Sequence, residues 1–253
     1  MVYFVGAGTG AIDMITIRGM RLIEECDVLI YAGSLVNPEL LHYAKKDPDI
    51  YDSALMTLPE IIEIIERAEG VGKNTVRLHT GDPGLYSAMA EQMRELDKRG
   101  IEYEVCPGVT ACFSAAASLK LEYTLPGVSQ TLIITRLEGR TEVPPMEKIE
   151  DLSRHQASMA VYLSAGMMGE LADRLISGGY RPDTPAAIVY KASWPDEKKI
   201  VCSLEQLEQK ALENNIKKTA VVLVGDAIGK NNFSDSKLYS PDFFTEYRMG
   251  KNE

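Results

Sequence analysis

The fold is decided by a twelve-residue stretch that reads Val76-Arg77-Leu78-His79-Thr80-Gly81-Asp82-Pro83-Gly84-Leu85-Tyr86-Ser87. Val76 and Leu78 alternate with polar neighbours, which predicts a strand near the edge or the end of a sheet. Gly81 permits backbone conformations that a side chain would forbid, and Pro83 fixes its own φ angle. The stretch therefore predicts a strand, a tight turn and the beginning of a helix.

The turn in this stretch is a candidate ligand site. In an open α/β sheet, ligands bind at the loops that leave the carboxyl ends of the strands. Asp82 lies in such a loop, where its carboxylate can meet a cation or accept hydrogen bonds from ligand hydroxyls. The alternative is an ordinary turn in which Asp82 or Ser87 only caps the helix, predicted from residue 85 or 86 to residue 99. The residues alone leave both interpretations open.

Composition limits the class of protein. The 253 residues are 45% hydrophobic, enough for one large or two modest domains, and the net charge of −10 argues against nucleic acid as the main partner. No apolar run reaches the ~20 residues of a membrane span, and the amino terminus lacks the pattern of a signal peptide. The four cysteines form no Cys-x-x-Cys pair and only three histidines are present, so we expect no metal cluster. A reduced cytoplasmic protein is expected.

Strands and helices alternate along the first half of the chain, which predicts a largely parallel, doubly wound sheet. Besides the strand in the opening stretch, strands are predicted at 2–5, 28–31, 49–51 and 101–105. Other helices are predicted at 14–25, from 38, from 57 and at 110–119. Thr57 and Glu60 have the spacing of a capping box before the third of these.

The second half has a different pattern. Strands are predicted at 130–135, 158–163, 186–190, 199–202 and 220–224, and helices at 146–155, 167–176 and 204–214. A short loop containing Trp194 joins two of these strands as a hairpin, so this sheet is expected to be mixed. The sequence thus predicts two α/β domains, at 1–120 and 121–232, and a tail at 233–253.

A second glycine-rich turn, Gly6-Ala7-Gly8-Thr9-Gly10, follows the first strand and lets backbone approach a ligand closely. Its spacing is Gly-x-Gly-x-Gly rather than the Gly-x-Gly-x-x-Gly of dinucleotide-binding folds. The second strand ends in Tyr31-Ala32-Gly33-Ser34, without the acidic residue that holds a ribose. A nicotinamide or flavin site is therefore a minor alternative.

Several motifs, in order along nearly the whole chain, resemble the tetrapyrrole methylases. They are Val5-Gly6-Ala7-Gly8, Gly81-Asp82-Pro83, Pro107-Gly108-Val109-Thr110-Ala111, Val161-Tyr162-Leu163 and the segment 188–193. Residues 27–36 and 53–58 resemble the branch that methylates precorrin-4 or cobalt-precorrin-4 at C-11 in cobalamin biosynthesis. The family's first loop usually reads Gly-Ala-Gly-Pro-Gly-Asp-Pro. Here Thr9, Ala11 and Ile12 replace Pro, Asp and Pro, which predicts a less rigid loop.

The resemblance implies a homodimer of two-domain chains with S-adenosylmethionine (SAM) in a cleft between the domains, S-adenosylhomocysteine as product and a small tetrapyrrole as substrate. It further implies a set of cofactor contacts: Thr9, Thr80, Gly81, Asp82, Leu85, Thr110, Ala111, Leu163 and Ala192. For Leu163 and Ala192, a plain core position is an equally good interpretation of the residue types.

The implied chemistry is attack by an electron-rich ring carbon on an activated methyl group, so positioning should dominate and no catalytic triad is expected. No catalytic residue is identified. His79 is a candidate base, although a histidine bonded to backbone at a strand end is the more ordinary interpretation. The substrate's carboxylates need cations, and the basic residues nearest predicted loop ends are Arg18, Lys120, Arg136, Arg140 and Lys191.

Two alternatives remain open at this point. One is another enzyme of the same superfamily, for uroporphyrinogen-III methylation, diphthamide synthesis or ribosomal RNA methylation. The other is a non-catalytic protein that binds a tetrapyrrole, and Thr9 and Ala11 are the residues that favour it.

Overall fold

The computed structural model describes residues 1–45, 47–139, 141–229 and 233–248. The chain forms two compact units. Unit 1 contains Met1–Ser118 and Lys191–Glu197, and unit 2 contains Leu119–Tyr190 and Lys198–Glu253. The short segment Lys191–Glu197 therefore belongs with unit 1, although the residues on either side of it belong to unit 2.

Unit 1 is built on a parallel sheet, as the alternation of strands and helices predicts. Its strands are β1 (Val2–Gly6), β2 (Val28–Tyr31), β3 (Asp49–Asp52), β4 (Thr75–His79) and β5 (Tyr103–Cys106). The order across the sheet is β3-β2-β4-β1-β5, and every neighbouring pair is parallel. In the register of the two central strands, Gly6 lies beside His79. The glycine-rich loops after β1 and β4 therefore leave the sheet at the same edge.

The strand of the opening stretch, β4, lies inside the sheet and not at its edge, so that expectation was wrong. All five of its residues are buried. The polar Arg77 is accommodated because its guanidinium donates to Gln92 Oε1 at 3.1 Å and to the carbonyls of Ile30 and Leu78 at 3.4 and 3.2 Å. Burying a charged group without such partners would be strongly unfavourable.

The described residues of unit 1 form four α-helices: α1 (Ile17–Glu25), α2 (Leu58–Glu69), α3 (Met89–Asp97) and α4 (Ala111–Leu119). The predicted capping residues of α2 interact, because Glu60 Oε2 accepts a hydrogen bond from the Thr57 backbone N–H at 2.7 Å. The predicted apolar face of α2 is buried against β1 and β2. It consists of Ile61, Ile64, Ile65 and Ala68.

Other helices begin later or are shorter than predicted. Tyr86 and Ala88 have φ angles of +53° and +55°, which helical residues do not adopt, so α3 begins at Met89. In α1 the Thr16 hydroxyl accepts from the Gly19 N–H at 3.0 Å and fixes the start at Ile17. The helix predicted from residue 38 is a 3₁₀ segment, Pro38–Tyr43.

Unit 2 is built on a mixed sheet, as predicted. Its strands are β6 (Leu132–Arg136), β7 (Ser158–Tyr162), β8 (Pro185–Tyr190), β9 (Lys198–Ser203) and β10 (Ala220–Val224). The order is β6-β7-β10-β8-β9, in which β6 and β7 are parallel and the other neighbours are antiparallel. The predicted hairpin is the β8–β9 pair.

The core of unit 2 lies between this sheet and the helices α5 (Ile149–Ser153), α6 (Met168–Ser177) and α7 (Leu207–Glu213). The helix predicted at 146–155 is shortened because Pro145–Glu147 forms a 3₁₀ turn before α5. Within the described residues, none of the helices combines the length and apolarity needed to cross a membrane.

Candidate functional site

The loops after β1, β4 and β5 meet in unit 1 through bare glycine backbone. Gly81 N–H donates to the Gly8 carbonyl at 2.8 Å, and Gly8 N–H donates back to the Gly81 carbonyl at 3.3 Å. A Cβ atom placed on Gly108 would lie 2.2 Å from the Gly81 oxygen, and one on Gly6 would lie 2.6 Å from the Gly108 Cα. Real Cβ atoms do not approach backbone so closely, so any larger residue at Gly6 or Gly108 would push the three loops apart.

Asp82 fastens two of these loops together. Its Oδ1 accepts from the Gly84 N–H at 2.8 Å within its own loop, and its Oδ2 accepts from the Gly108 N–H at 2.7 Å in the loop after β5. Asp82 does not cap α3, since the Ser87 hydroxyl accepts from the Met89 N–H at 3.3 Å. Both oxygens already accept backbone hydrogen bonds, and only their remaining lone pairs are left for a ligand.

The other predicted cofactor contacts in these loops lie close to Gly81. A Cβ on Gly81, whose φ is +65°, would meet the Thr110 Cα at 3.7 Å, an ordinary contact distance. Thr110 precedes α4 and Ala111 is its first residue, so the first N–H groups of that helix point out of it here. The Thr80 hydroxyl lies 3.5 Å from the Leu35 carbonyl, and Leu85 N–H donates to the Asp82 carbonyl at 3.2 Å.

Two further predicted contacts, Ala192 and Leu163, differ in their surroundings. Ala192 is buried in the Lys191–Glu197 segment of unit 1. Leu163 follows β7 in unit 2, is 67% exposed and has a φ angle of +55°. The interpretation of Leu163 as a core residue is therefore wrong. A leucine in the left-handed region is unusual, which marks this position as one that its surroundings constrain.

His79 is buried at the end of β4, only 4% exposed, and its ring packs on Phe4 with 5.8 Å between ring centroids. Burial, and then the neighbouring Arg77 charge, lower the pKa of His79 to about 3, against a smaller opposing effect of a hydrogen bond with the Ser87 backbone. The imidazole is therefore neutral near pH 7. Its Nε2 has no hydrogen-bond partner among the described residues. These surroundings favour the interpretation of His79 as a structural residue at the end of a strand over its interpretation as a catalytic base.

The segment Thr9-Gly10-Ala11 belongs to the glycine-rich loop after β1. Side chains from three other parts of unit 1 hold it: α4, the Lys191–Glu197 segment and Asn37. The Thr9 hydroxyl donates to Ser114 Oγ at 2.9 Å and lies 2.7 Å from Ser193 Oγ. Ser193 Oγ also accepts from the Ala11 N–H at 3.0 Å.

Backbone carbonyls of the same loop are bound as well. Trp194 Nε1 donates to the Thr9 carbonyl at 2.8 Å, and Asn37 Nδ2 donates to the Gly10 carbonyl at 2.8 Å. The sequence reasoning missed Ser193, Trp194 and Asn37. The available signal was a single tryptophan in a short hairpin loop, a bulky apolar ring that needs a surface to pack against.

Two of the candidate cations are already paired. Arg18 forms an ion pair with Glu104, and Lys191 forms one with Asp196 at 2.7 Å. Arg136 donates to the carbonyls of Thr141 and Glu142 at 3.0 and 2.7 Å.

Of the other two candidate cations, Lys120 is exposed, and Arg140 lies outside the described residues. In the part of the chain that the structure describes, no group of three or more histidine, cysteine or carboxylate residues is arranged to hold a metal ion.

A parallel sheet followed by a mixed sheet, with glycine loops meeting at the carboxyl ends of β1, β4 and β5, defines a two-unit α/β protein with a candidate ligand site in unit 1. The family model of the tetrapyrrole (corrin/porphyrin) methylases matches residues 1–208, and the chain belongs to this family. The resemblance read from the motifs is confirmed.

Three relatives illustrate the relationship. The cobalt-precorrin-4 C(11)-methyltransferase of Methanocaldococcus jannaschii is 52% identical over 247 residues, which cover 98% of this chain and 95% of that protein. The solved structure of a cobalt precorrin-4 methyltransferase, CbiF, superposes with a TM-score of 0.88 at 40% identity, covering 90% of this chain and 95% of that one. A uroporphyrin-III C-methyltransferase from Thermus thermophilus, solved in complex with S-adenosylhomocysteine, gives a TM-score of 0.75 at 26% identity and covers 90% of this chain and 99% of that one.

Proposed function

We propose that this chain is a SAM-dependent methyltransferase that methylates precorrin-4 or cobalt-precorrin-4 at C-11 in cobalamin biosynthesis. The observation that carries the proposal is the meeting of three glycine loops at one edge of the unit 1 sheet, in a chain 52% identical to a cobalt-precorrin-4 C(11)-methyltransferase. The lower identity of 26% to a uroporphyrin-III C-methyltransferase supports the precorrin-4 branch over that alternative.

The residues present fit a cofactor with a polar amino-acid part and ribose hydroxyls. Gly81 offers backbone groups without a side chain in the way, and Thr80 and Thr110 carry hydroxyls. The first N–H groups of α4 lie beside the small Ala111. We assign these residues, with Asp82 and Leu85, to holding SAM, and we retain Thr9, Ala192 and Leu163 as predicted contacts.

When bound, SAM supplies a methyl group already activated by its positive sulfur. The protein then needs to hold and orient the reactants and to exclude water, because little acid–base catalysis is required. Neutral, buried His79 is given no part in proton transfer. The carbon nucleophile comes from the tetrapyrrole itself, and S-adenosylhomocysteine is the expected product.

Two further parts of the proposal rest on the sequence and on the family resemblance alone. They are a homodimeric assembly and a cytoplasmic setting with reduced cysteines.

Calorimetric titration with S-adenosylhomocysteine, followed by a methylation assay, tests the proposal. Replacing Ala111 by leucine at the start of α4 should weaken binding by at least about tenfold, because the larger side chain fills the space beside the helix N–H groups. Ala117→Leu is the matched control, since Ala117 is exposed on the same helix. Mass spectrometry should show one methyl group added to precorrin-4 or cobalt-precorrin-4.

The outcomes separate the alternatives. No binding of S-adenosylhomocysteine to the wild-type protein would remove the cofactor site. Binding with methylation of uroporphyrinogen III instead of precorrin-4 would assign the chain to another branch. Binding without methylation of any of these substrates would favour the non-catalytic alternative.

A further inference from the structure

The Lys191–Glu197 segment reaches the first glycine-rich loop through the side chains of two consecutive residues. The Ser193 hydroxyl lies between the Thr9 hydroxyl, at 2.7 Å, and the Ala11 N–H, at 3.0 Å. The Trp194 indole donates to the Thr9 carbonyl at 2.8 Å. Five polar groups of the two segments thus pair with one another.

The indole ring also lies directly on Gly10. A Cβ atom placed on Gly10 would come within 2.2 Å of Trp194 Cδ1 and 2.5 Å of its Nε1. Glycine at this position is therefore needed for the ring to pack where it does, and the loop and the ring fit each other.

The segment is itself braced for this contact. Ser193 has a φ angle of +66°. This left-handed conformation is unfavourable for a residue with a side chain, and it persists only where the surroundings hold it. The Glu197 carboxylate accepts from the Ser193 N–H at 2.7 Å and from the Ser118 hydroxyl, near the end of α4, at 2.5 Å. These two hydrogen bonds hold the segment in the conformation in which the Ser193 hydroxyl lies 2.7 Å from the Thr9 hydroxyl.

The loop needs such support because nothing in its own sequence restricts it. Thr9-Gly10-Ala11 contains no proline, so no ring fixes a φ angle there. Its conformation is set instead by hydrogen bonds with Ser193, Trp194, Ser114 and Asn37. Among these, Ser193 and Trp194 act on both the side chain and the backbone of Thr9.

We propose that Ser193 and Trp194 are positioning residues of the cofactor site: they hold the Thr9–Ala11 loop in the conformation that accepts SAM. This inference rests on the proposed function, because it takes the Thr9 loop as part of that site. Coupling free energies are reciprocal, so a ligand that binds the loop should in turn stabilise the contacts that Ser193 and Trp194 make with it.

The test uses the fact that Trp194 is the only tryptophan in the chain. In the full-length wild-type protein, S-adenosylhomocysteine should change the tryptophan emission with the same midpoint as the calorimetric titration. Gly10→Ala should shift the emission without any ligand, because the new methyl group displaces the indole.

Ser193→Ala and Ser193→Gly should each weaken S-adenosylhomocysteine binding about five- to tenfold, the effect of losing one or two neutral hydrogen bonds. Glycine tolerates the left-handed conformation, so the Ser193→Gly protein should keep the melting temperature of wild type. Weaker binding by this variant therefore reports the loss of positioning and not a loss of folding. Trp194→Phe, which keeps a ring but loses the N–H, should weaken binding about two- to fivefold. The matched control is Ser177→Ala in α6, where the hydroxyl bonds only to the Arg174 carbonyl at 3.0 Å.

A double-mutant cycle completes the test. Thr9→Val removes the other hydroxyl of the pair, so Thr9→Val combined with Ser193→Ala should weaken binding by less than the sum of the two single effects, because both variants lose the same hydrogen bond. Fully additive losses, or Ser193 variants that bind within about twofold of wild type, would overturn the inference while leaving the proposed function standing. A wild-type protein that binds no S-adenosylhomocysteine would instead remove the proposed function, and the inference with it.

Discussion

Replacing Asp82 by asparagine tests whether this carboxylate holds the site together. The substitution keeps the size and shape of the side chain but changes one oxygen into an N–H₂ group. The amide oxygen can still accept from the Gly84 N–H, now 2.8 Å from Oδ1. The N–H₂ group then faces the Gly108 N–H, which lies 2.7 Å from Oδ2, and two donors oppose each other.

The size of the effect follows from these contacts. One hydrogen bond to a charged acceptor is lost, worth about 1.5–3 kcal/mol, and the other becomes a weaker neutral one. Asp82 is half-buried, and water reaching the freed Gly108 N–H offsets part of the loss. We expect the free energy of unfolding to fall by about 2 kcal/mol, which corresponds to about 4–8 °C in melting temperature for a chain of this size.

Urea and thermal unfolding followed by circular dichroism measure this change. The control is Asp97→Asn, at the exposed end of α3, where the carboxylate accepts from the Tyr103 hydroxyl at 2.9 Å. The control should stay within about 0.5 kcal/mol of wild type. If Asp82→Asn unfolds like the control and yet binds S-adenosylhomocysteine poorly, Asp82 acts on the ligand and our account of it as a fastener between loops is refuted.

Two other substitutions test the packing and the titration of unit 1. Gly108→Ala should lower the free energy of unfolding by about 3 kcal/mol or more and abolish S-adenosylhomocysteine binding, because its Cβ would lie 2.2 Å from the Gly81 oxygen. The control is Gly100→Ala, where φ is +64° and a Cβ would meet nothing within 4 Å. In urea unfolding the control should cost only about 1 kcal/mol. The folded-state pKa of His79 is about 3 against 6.5 for an ordinary imidazole, so the unfolded chain binds the proton first and stability falls as the pH drops below 6.5. Between pH 6.5 and about pH 4, wild type should therefore lose up to about 1.4 kcal/mol per pH unit more than His79→Gln, and a loss equal to that of His79→Gln would contradict the burial argument.

Elements with local signals could be predicted from the sequence. Thr57 and Glu60 lie three residues apart and interact directly, so the start of α2 could be read from the chain. The β8–β9 hairpin could be predicted for the same reason, because a short loop joins two apolar runs. Parallel order in unit 1 followed from the alternation of strands and helices.

Features that depend on distant contacts could not be predicted in this way. The start of α3 was missed because Tyr86 and Ala88 adopt positive φ angles, which no property of those residue types suggests. The central position of β4 was missed because Arg77 finds its partners on β2 and α3.

In the candidate site, too, residues with a local sequence signal could be predicted and residues that act through distant contacts could not. Gly81 and Asp82 stand in a recognisable turn and could be identified from the sequence. Ser193 could not, since its contact with Thr9 joins residues 184 positions apart in the chain. The pairing is visible only once the chain is folded.

The discontinuity of unit 1 has a consequence for the newly made protein. The strands β1 to β5 of its sheet, as the described residues show them, lie before residue 119, yet the Lys191–Glu197 segment that contacts the Thr9 loop is synthesised only much later. During translation, which proceeds from the amino terminus, the sheet can form while this loop still lacks the hydrogen bonds from Ser193 and Trp194. On the ribosome, this early loop therefore gains its contacts with Ser193 and Trp194 only after those residues have been synthesised, and a chain truncated before residue 191 lacks them.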